Sequence, residues 1–281
     1  MMANAAPLRV VTLSTVLADL AHEIGGDQVV ITNLVKPGTD PHEFQPSPDD
    51  VRQVSNADLV LASGKDMEGY LNKLKQSAGG HAVWLEVGNK LPNLHFHSSG
   101  TFTPDDPNAI DPHWWHSVSN MKKAAFFVRD ALTQLQPTQK DFFVQRTDAY
   151  EQKLDDLDKW ARLQVALVPR DQRKLVTSHD AFQYFARDFG FIIYSIAGVS
   201  TGDQPSSQKI VSLIKTIRDQ HVKAVFFESM ENPKVLAEIT RETGAKIGGE
   251  LFADGLSADG EASTYIGMMR HNISTVVEAL K

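Results

Sequence analysis

Three histidines and one aspartate stand in four short segments of similar design. These are Asp40-Pro41-His42, Asp111-Pro112-His113, Thr177-Ser178-His179-Asp180 and Phe252-Ala253-Asp254-Gly255. Each offers one metal-capable donor at a loop or at the end of a strand-like run. In Asp-Pro-His the proline fixes its own φ and restricts the residue before it, so the imidazole is presented from a constrained backbone. A single histidine beside tryptophan, as in His113-Trp114-Trp115-His116, is more often a packed residue than a ligand. Four donors in four separate segments change that reading. Three neutral imidazoles and one carboxylate make a closed four-coordinate shell for a divalent cation, and nitrogen donors at about 2.0–2.1 Å suit Zn2+. Mn2+ and Fe2+ can use the same donors.

A catalytic zinc usually keeps one position open for water, and four protein donors leave none. The chain has no His-Glu-x-x-His helix, no Gly-x-Ser-x-Gly elbow and no Gly-rich phosphate loop. The expectation is a binding protein and not an enzyme. There is no cysteine, so the expected site is imidazole and carboxylate only, with no disulfide and no direct membrane anchor on an N-terminal cysteine. Other histidines get lesser roles. His22, His81, His221 and His271 read as solvated. His95 and His97 point to one side of an extended segment and could capture metal briefly. His116 follows His113 by three residues and is the remaining accessory candidate.

The elements that must position these donors come in a regular order. Leu8–Ser14, Val29–Lys36, Leu59–Ser63 and Ala82–Val87 read as strands, alternating with helices at Thr15–Gly25, from Ser47 to near Asn56, and Glu68–Ala78. The second half repeats the rhythm. Strands at Lys174–Thr177, Phe191–Ile196, Ala224–Glu228 and Lys246–Phe252 alternate with helices at Asp180–Phe189, Ser206–Gln220 and Asn232–Thr243, and Tyr265–Leu280 closes the chain. This βα alternation predicts mainly parallel sheets. Ligands collect outside the carboxyl ends of such strands, where His42, His179 and Asp254 fall. Gly88–Ile110 breaks the rhythm as a long proline-bearing loop. Thr138–Val168 reads as one helix of about 45 Å at 1.5 Å per residue. The expected domains are an N-terminal α/β lobe over 7–137, a connecting helix over 138–168 and a C-terminal α/β lobe over 169–281, with two donors from each half. No sequence repeat relates the halves.

The 281 residues carry a net charge of −7, 42% apolar and 22% charged residues, which fits a globular chain and argues against a nucleic-acid partner. No run of about 18 apolar residues exists to span a membrane. The start, Met1-Met2-Ala3-Asn4-Ala5-Ala6-Pro7, reads as the mature beginning of an exported chain whose signal peptide has been removed.

The four segments, extended to Pro37–Ser47, Asp111–Trp115, Thr177–Phe185 and Phe252–Leu256, resemble the metal-ligand segments of zinc/manganese solute-binding proteins of bacterial ABC importers, the TroA/ZnuA-like family. They occur in that family's order, and the likeness covers essentially the whole chain. The resemblance implies two α/β lobes joined by a long rigid helix, with a metal site between the lobes and His42, His113, His179 and Asp254 as ligands. It implies a periplasmic protein that captures Zn2+ and delivers it to the membrane permease of an ABC importer. Manganese-type members commonly carry Glu where His179 stands, so the chain leans to zinc. A manganese or iron receptor of the same family is the alternative, followed by a metal-dependent hydrolase and a surface adhesin. Two departures stand out. Trp115-His116-Ser117-Val118 replaces the frequent Trp-x-Asp-Pro, and the loop before it keeps only His95 and His97 of a His-rich stretch. In that short loop and in the tail the chain is most similar to AztC-type proteins, which receive zinc from a periplasmic chaperone. A monomer is expected.

Overall fold

Two four-stranded parallel sheets carry the chain, and the computed structural model describes residues 6–96, 109–199, 205–228 and 233–281. The residues group into two compact units. The first comprises the chain through Pro92 and Val118–Asp156; the second comprises Asn93–Ser117 and Leu157–Lys281.

In the first unit β1 (Leu8–Thr12), α1 (Thr15–Gly25), β2 (Val29–Asn33), α2 (Pro48–Ser55), β3 (Leu59–Ala62), α3 (Leu71–Ala78) and β4 (Val83–Glu86) alternate as expected. The strand order is β2-β1-β3-β4, with Leu8 opposite Val29 and Leu59 opposite Val83. All four residues of β3 are buried, as a parallel strand covered on both faces requires. Local chemistry starts the helices. Ser14 accepts from the Leu17 N–H to open α1, and Ser47 and Asp50 cap one another's backbone around Pro48 to open α2. Helix α4 (Val118–Leu135) follows and packs on α1.

Helix α5 (Lys140–Val165) has 26 residues, begins in the first unit and ends in the second. It is the expected linking helix, about 39 Å long by its rise. It is shorter than the expected Thr138–Val168 because Pro137 opens a 3₁₀ turn, and because Arg173 closes the far end by donating to the carbonyls of Val165 and Val168.

In the second unit β5 (Lys174–Thr177), α6 (Gln183–Phe189), β6 (Ile192–Ser195), α7 (Ser207–Asp219), β7 (Ala224–Glu228), α8 (Pro233–Thr243), β8 (Lys246–Leu251) and α9 (Tyr265–Leu280) complete the fold. The order β6-β5-β7-β8 repeats the topology of the first sheet without a visible sequence repeat. Val176, Val225, Leu213 and Ile239 form its fully buried centre. No helix among the described residues is long and apolar enough to cross a membrane.

Candidate metal centre

Three donors converge within the second unit, each from a different loop. The first is His113. Its segment is anchored by the Asp111 N–H on the Leu94 carbonyl at 2.8 Å and by an antiparallel bridge between His95 and Ile110. Asp111 Oδ1 then accepts the His113 N–H at 2.8 Å, closing the turn that Asp-Pro-His favours, and also meets His113 Nδ1 at 2.7 Å. One carboxylate thus fixes both backbone and ring. His113 packs edge-on against Trp115 and His179, at centroid distances of 5.4 and 5.3 Å.

His179 leaves the carboxyl end of β5, beside β7. The last residue of β7, Glu228, takes its Nδ1. Asp254 follows β8, with Oδ1 3.3 Å from His113 Nε2 and Oδ2 3.3 Å from His179 Nε2. The ligand atoms of these three residues lie within 4.8 Å of one another. All three are buried, His113 and His179 completely. A carboxylate behind each imidazole sets the tautomer and leaves Nε2 for a cation, the arrangement that raises the basicity of a metal-ligating histidine.

The charges are mutually dependent. Burial works against a protonated His113, but hydrogen bonds to Asp111 and Asp254 override it and hold the ring at about 9. Burial opposes charge on His179 too, and Glu228 and Asp254 raise it well above the usual imidazole range. Burial would push the Asp254 carboxyl up, yet the two rings hold it well below the carboxylate range. Asp180 is raised to about 7 by burial and by the charge of Asp111. Without metal, protons on His113 and His179 supply the positive charge that Asp111, Glu228 and Asp254 favour. A divalent cation can take their place.

His42 belongs to the first unit. After β2, Pro37-Gly38 makes a turn in which the Thr39 N–H meets the Lys36 carbonyl at 3.0 Å and Gly38 adopts φ +76. Asp40 Oδ1 next accepts the His42 N–H at 2.7 Å. The imidazole is half-buried. The sequence puts two donors in each half; in the structure residues 93–117 group with the second unit, so His113 stands with His179 and Asp254.

The remaining histidines separate clearly. His95 is exposed, and His97 lies outside the described residues. His116 is fully buried, its Nε2 2.9 Å from the Ala253 carbonyl, so it is not presented for capture at the surface. Burial and the charge of His113 lower it to about 3. His22, His81 and His221 are exposed, but His271 is half-buried with Nε2 3.0 Å from the Glu250 carbonyl, which corrects its reading as solvated. Sequence reasoning missed Glu228. The available signal was a lone carboxylate at the carboxyl end of an apolar strand, Ala224-Val225-Phe226-Phe227-Glu228.

Buried imidazoles backed by carboxylates and aimed at one shared carboxylate are a donor set able to hold a metal ion. Residues 10–279 match the family described as zinc-uptake complex component A, periplasmic (ZnuA), and the chain belongs to that family. It is 33% identical over 280 residues to the manganese-binding lipoprotein MntA of Bacillus subtilis, covering 98% of this chain and 90% of the relative. It is 34% identical over 284 residues to the zinc-binding protein TroA of Treponema pallidum, covering 99% and 90%. It is 32% identical over 278 residues to the iron-binding protein YfeA of Yersinia pestis, covering 98% and 87%. The solved structure of the periplasmic zinc-binding TroA superposes with a TM-score of 0.88 at 33% identity, covering 98% of this chain and 99% of that one. The chain is therefore a metal-binding substrate-binding component of an ABC transporter, and not an enzyme.

Proposed function

We propose that this protein is an extracytoplasmic zinc receptor. It captures Zn2+ in the periplasm with His42, His113, His179 and Asp254 and passes it to the permease of an ABC importer. The reading rests on one observation above others. Two imidazole Nε2 atoms and the Asp254 carboxylate converge in the second unit, with Asp111 and Glu228 behind the rings. His42 is the fourth donor, offered by a turn of the same Asp-Pro-His type. The relatives carry names for manganese, zinc and iron, so family membership leaves the metal open. Three nitrogen donors and one carboxylate favour zinc over manganese, which prefers oxygen.

In this reading the protein works as a monomer, and a periplasmic zinc chaperone can load it through the exposed His95 and the neighbouring His97. Metal analysis of protein purified without added metal, followed by competition titration against a zinc indicator and against manganese, tests the assignment. One zinc per chain, held tightly in the presence of excess manganese, is expected. Preferential retention of manganese or iron would overturn the zinc assignment and leave the receptor role intact.

A further inference from the structure

The backbone around His179 is held from two sides. On one side stands β7, whose Glu228 meets the His179 N–H at 3.4 Å and takes its Nδ1. On the other side stands β6, and its pairing with β5 runs on past the strands themselves. The Ile196 N–H donates to the Thr177 carbonyl at 2.9 Å, the Ala197 N–H to the Ser178 carbonyl at 2.7 Å, and the Asp180 N–H to the Gly198 carbonyl at 2.8 Å. Segment 196–198 therefore brackets His179, with one bond just before it and one just after. The His179 carbonyl accepts from Thr177 Oγ1 at 2.9 Å, so each carbonyl from Thr177 to His179 has its partner.

The two supports differ. Strand β7 lies between β5 and β8, whereas β6 is the edge of the sheet. An inner strand is itself held on both sides. No further strand among the described residues pairs with β6, so the segment that continues it needs another hold. Helix α7 supplies one. Ser206 caps that helix by accepting the Lys209 N–H at 3.2 Å, and Lys209 Nζ reaches back to donate to the Ala197 carbonyl at 2.9 Å. Ala197 is buried, and a charged donor on a sheltered carbonyl makes one of the stronger hydrogen bonds available to a protein.

We propose that Lys209 is a positioning residue for the metal: by holding the Ala197 carbonyl it fixes the edge segment that brackets His179, and so slows the departure of zinc from that imidazole. This rests on the receptor reading above. Glu228 fixes the ring at Nδ1, but the ring keeps its aim only while the backbone beneath it stays in place. Loosening segment 196–198 frees that backbone on the side away from Glu228. Capture needs the site to form once, whereas retention needs it to stay formed, so the loss falls on dissociation, as most affinity changes at one site do.

Three variants test the assignment. Lys209→Met keeps the apolar stem and loses the ammonium, and Lys209→Arg restores a charged donor. Lys215→Met removes a cation on the same helix that pairs with Asp219. Zinc release to a chelator is timed by stopped-flow on the full chain, and amide hydrogen exchange of the metal-free chain is read at Ala197 and Asp180. In Lys209→Met release should accelerate about 3–10-fold, below the about 10–100-fold effect of groups bonded directly to a ligand. Exchange at both amides should quicken, while that at Val176 in the centre of β5 holds. Lys209→Arg should restore both quantities, and Lys215→Met should move neither. A merely structural role lowers the melting temperature and leaves the release rate as it was. Unchanged release from Lys209→Met, faster release without faster exchange at Ala197 and Asp180, or an equal effect of Lys215→Met would overturn the proposal. Lys209→Gln, with a neutral donor in place of the ammonium, carries the same comparison if Lys209→Met fails to fold. A wild-type chain that takes no zinc would instead overturn the receptor reading, and this proposal with it.

Discussion

The tripeptide Asp-Pro-His occurs twice, and the two copies share a turn but not an environment. In both, the aspartate Oδ1 accepts the N–H of the histidine two residues on, at 2.7 Å for Asp40 and His42 and at 2.8 Å for Asp111 and His113. The turn is local chemistry: proline sets the backbone and the aspartate closes it. Beyond the turn they differ. Asp111 also takes His113 Nδ1, and both residues are completely buried. Asp40 and His42 are half-buried. The same aspartate and histidine thus stand fully buried in one place and half-buried in the other. Around His113 the packing comes from the Trp115 and His179 rings, which meet it edge-on.

The largest expected effect separates the two histidines. His113→Ala should cut zinc affinity by more than about 100-fold, above the range for supporting residues. Removing one member of a buried, hydrogen-bonded charge group should also destabilise the metal-free protein by about 3–5 kcal/mol. His42→Ala should weaken zinc clearly but leave metal-free stability within about 0.5 kcal/mol. Indicator competition and urea unfolding read both quantities, and equal destabilisation by the two substitutions would erase the contrast.

The next effect separates the aspartates. Asp111→Asn keeps an oxygen for the turn and removes the charge behind the ring, and zinc affinity should fall about 10–100-fold. Asp40→Asn keeps the oxygen that accepts the His42 N–H and should cost less affinity than Asp111→Asn. Matching losses at the two positions would show that Asp111 acts through its turn and not through its charge.

Acidity sharpens the contrast further. Metal must displace protons from His113 and His179, so zinc affinity should climb as pH rises from about 6 toward 9, where His113 loses its proton. In the metal-free protein the His113 contribution to stability is fully present below the unfolded value of about 6.5 and is lost as pH rises through about 9. The melting temperature without metal should therefore decline across that window. His42→Ala should keep the decline, and His113→Ala should make it shallower, with the share of His179 remaining.

The smallest effect is expected at His95 and His97. The double alanine variant should keep its equilibrium zinc affinity and load more slowly, by a few-fold in stopped-flow transfer from a chelator. A large loss of affinity instead would place a true ligand in that segment.

Much of this molecule was legible before folding. Alternating apolar strands and capped helices specified two parallel sheets, because each signal is local: a serine cap, a proline, a buried β-branched run. The three donors seen together in the second unit were legible for the same reason. Other parts depend on contacts distant in sequence. Glu228 is an ordinary strand end until β7 lies beside β5. Asn272 is one polar residue on α9 until it meets Phe252. Helix α3 was expected from Glu68 but begins at Leu71. Gly64, Lys65 and Asp66 all take positive φ, and the Glu68 carboxylate accepts the N–H groups of Ser63 and Gly64. Burial raises that carboxyl to about 7. The acid that looked like a first-turn helix residue is spent on a left-handed turn.

The grouping of residues 93–117 with the second unit has a practical corollary for gene dissection. The chain passes between the units after Pro92, after Ser117 and after Asp156, so neither unit is a contiguous stretch of gene. A fragment starting at Leu157 would carry His179, Glu228 and Asp254 but neither Asp111 nor His113, and it would also lack Trp115 and His116, which bond the Ala253 carbonyl. One proteolytic nick at any of the three passages would leave the two units still joined through the other two. Separating the units for study calls for circular permutation or co-expressed fragments, and deletion from either end cannot yield the second unit whole.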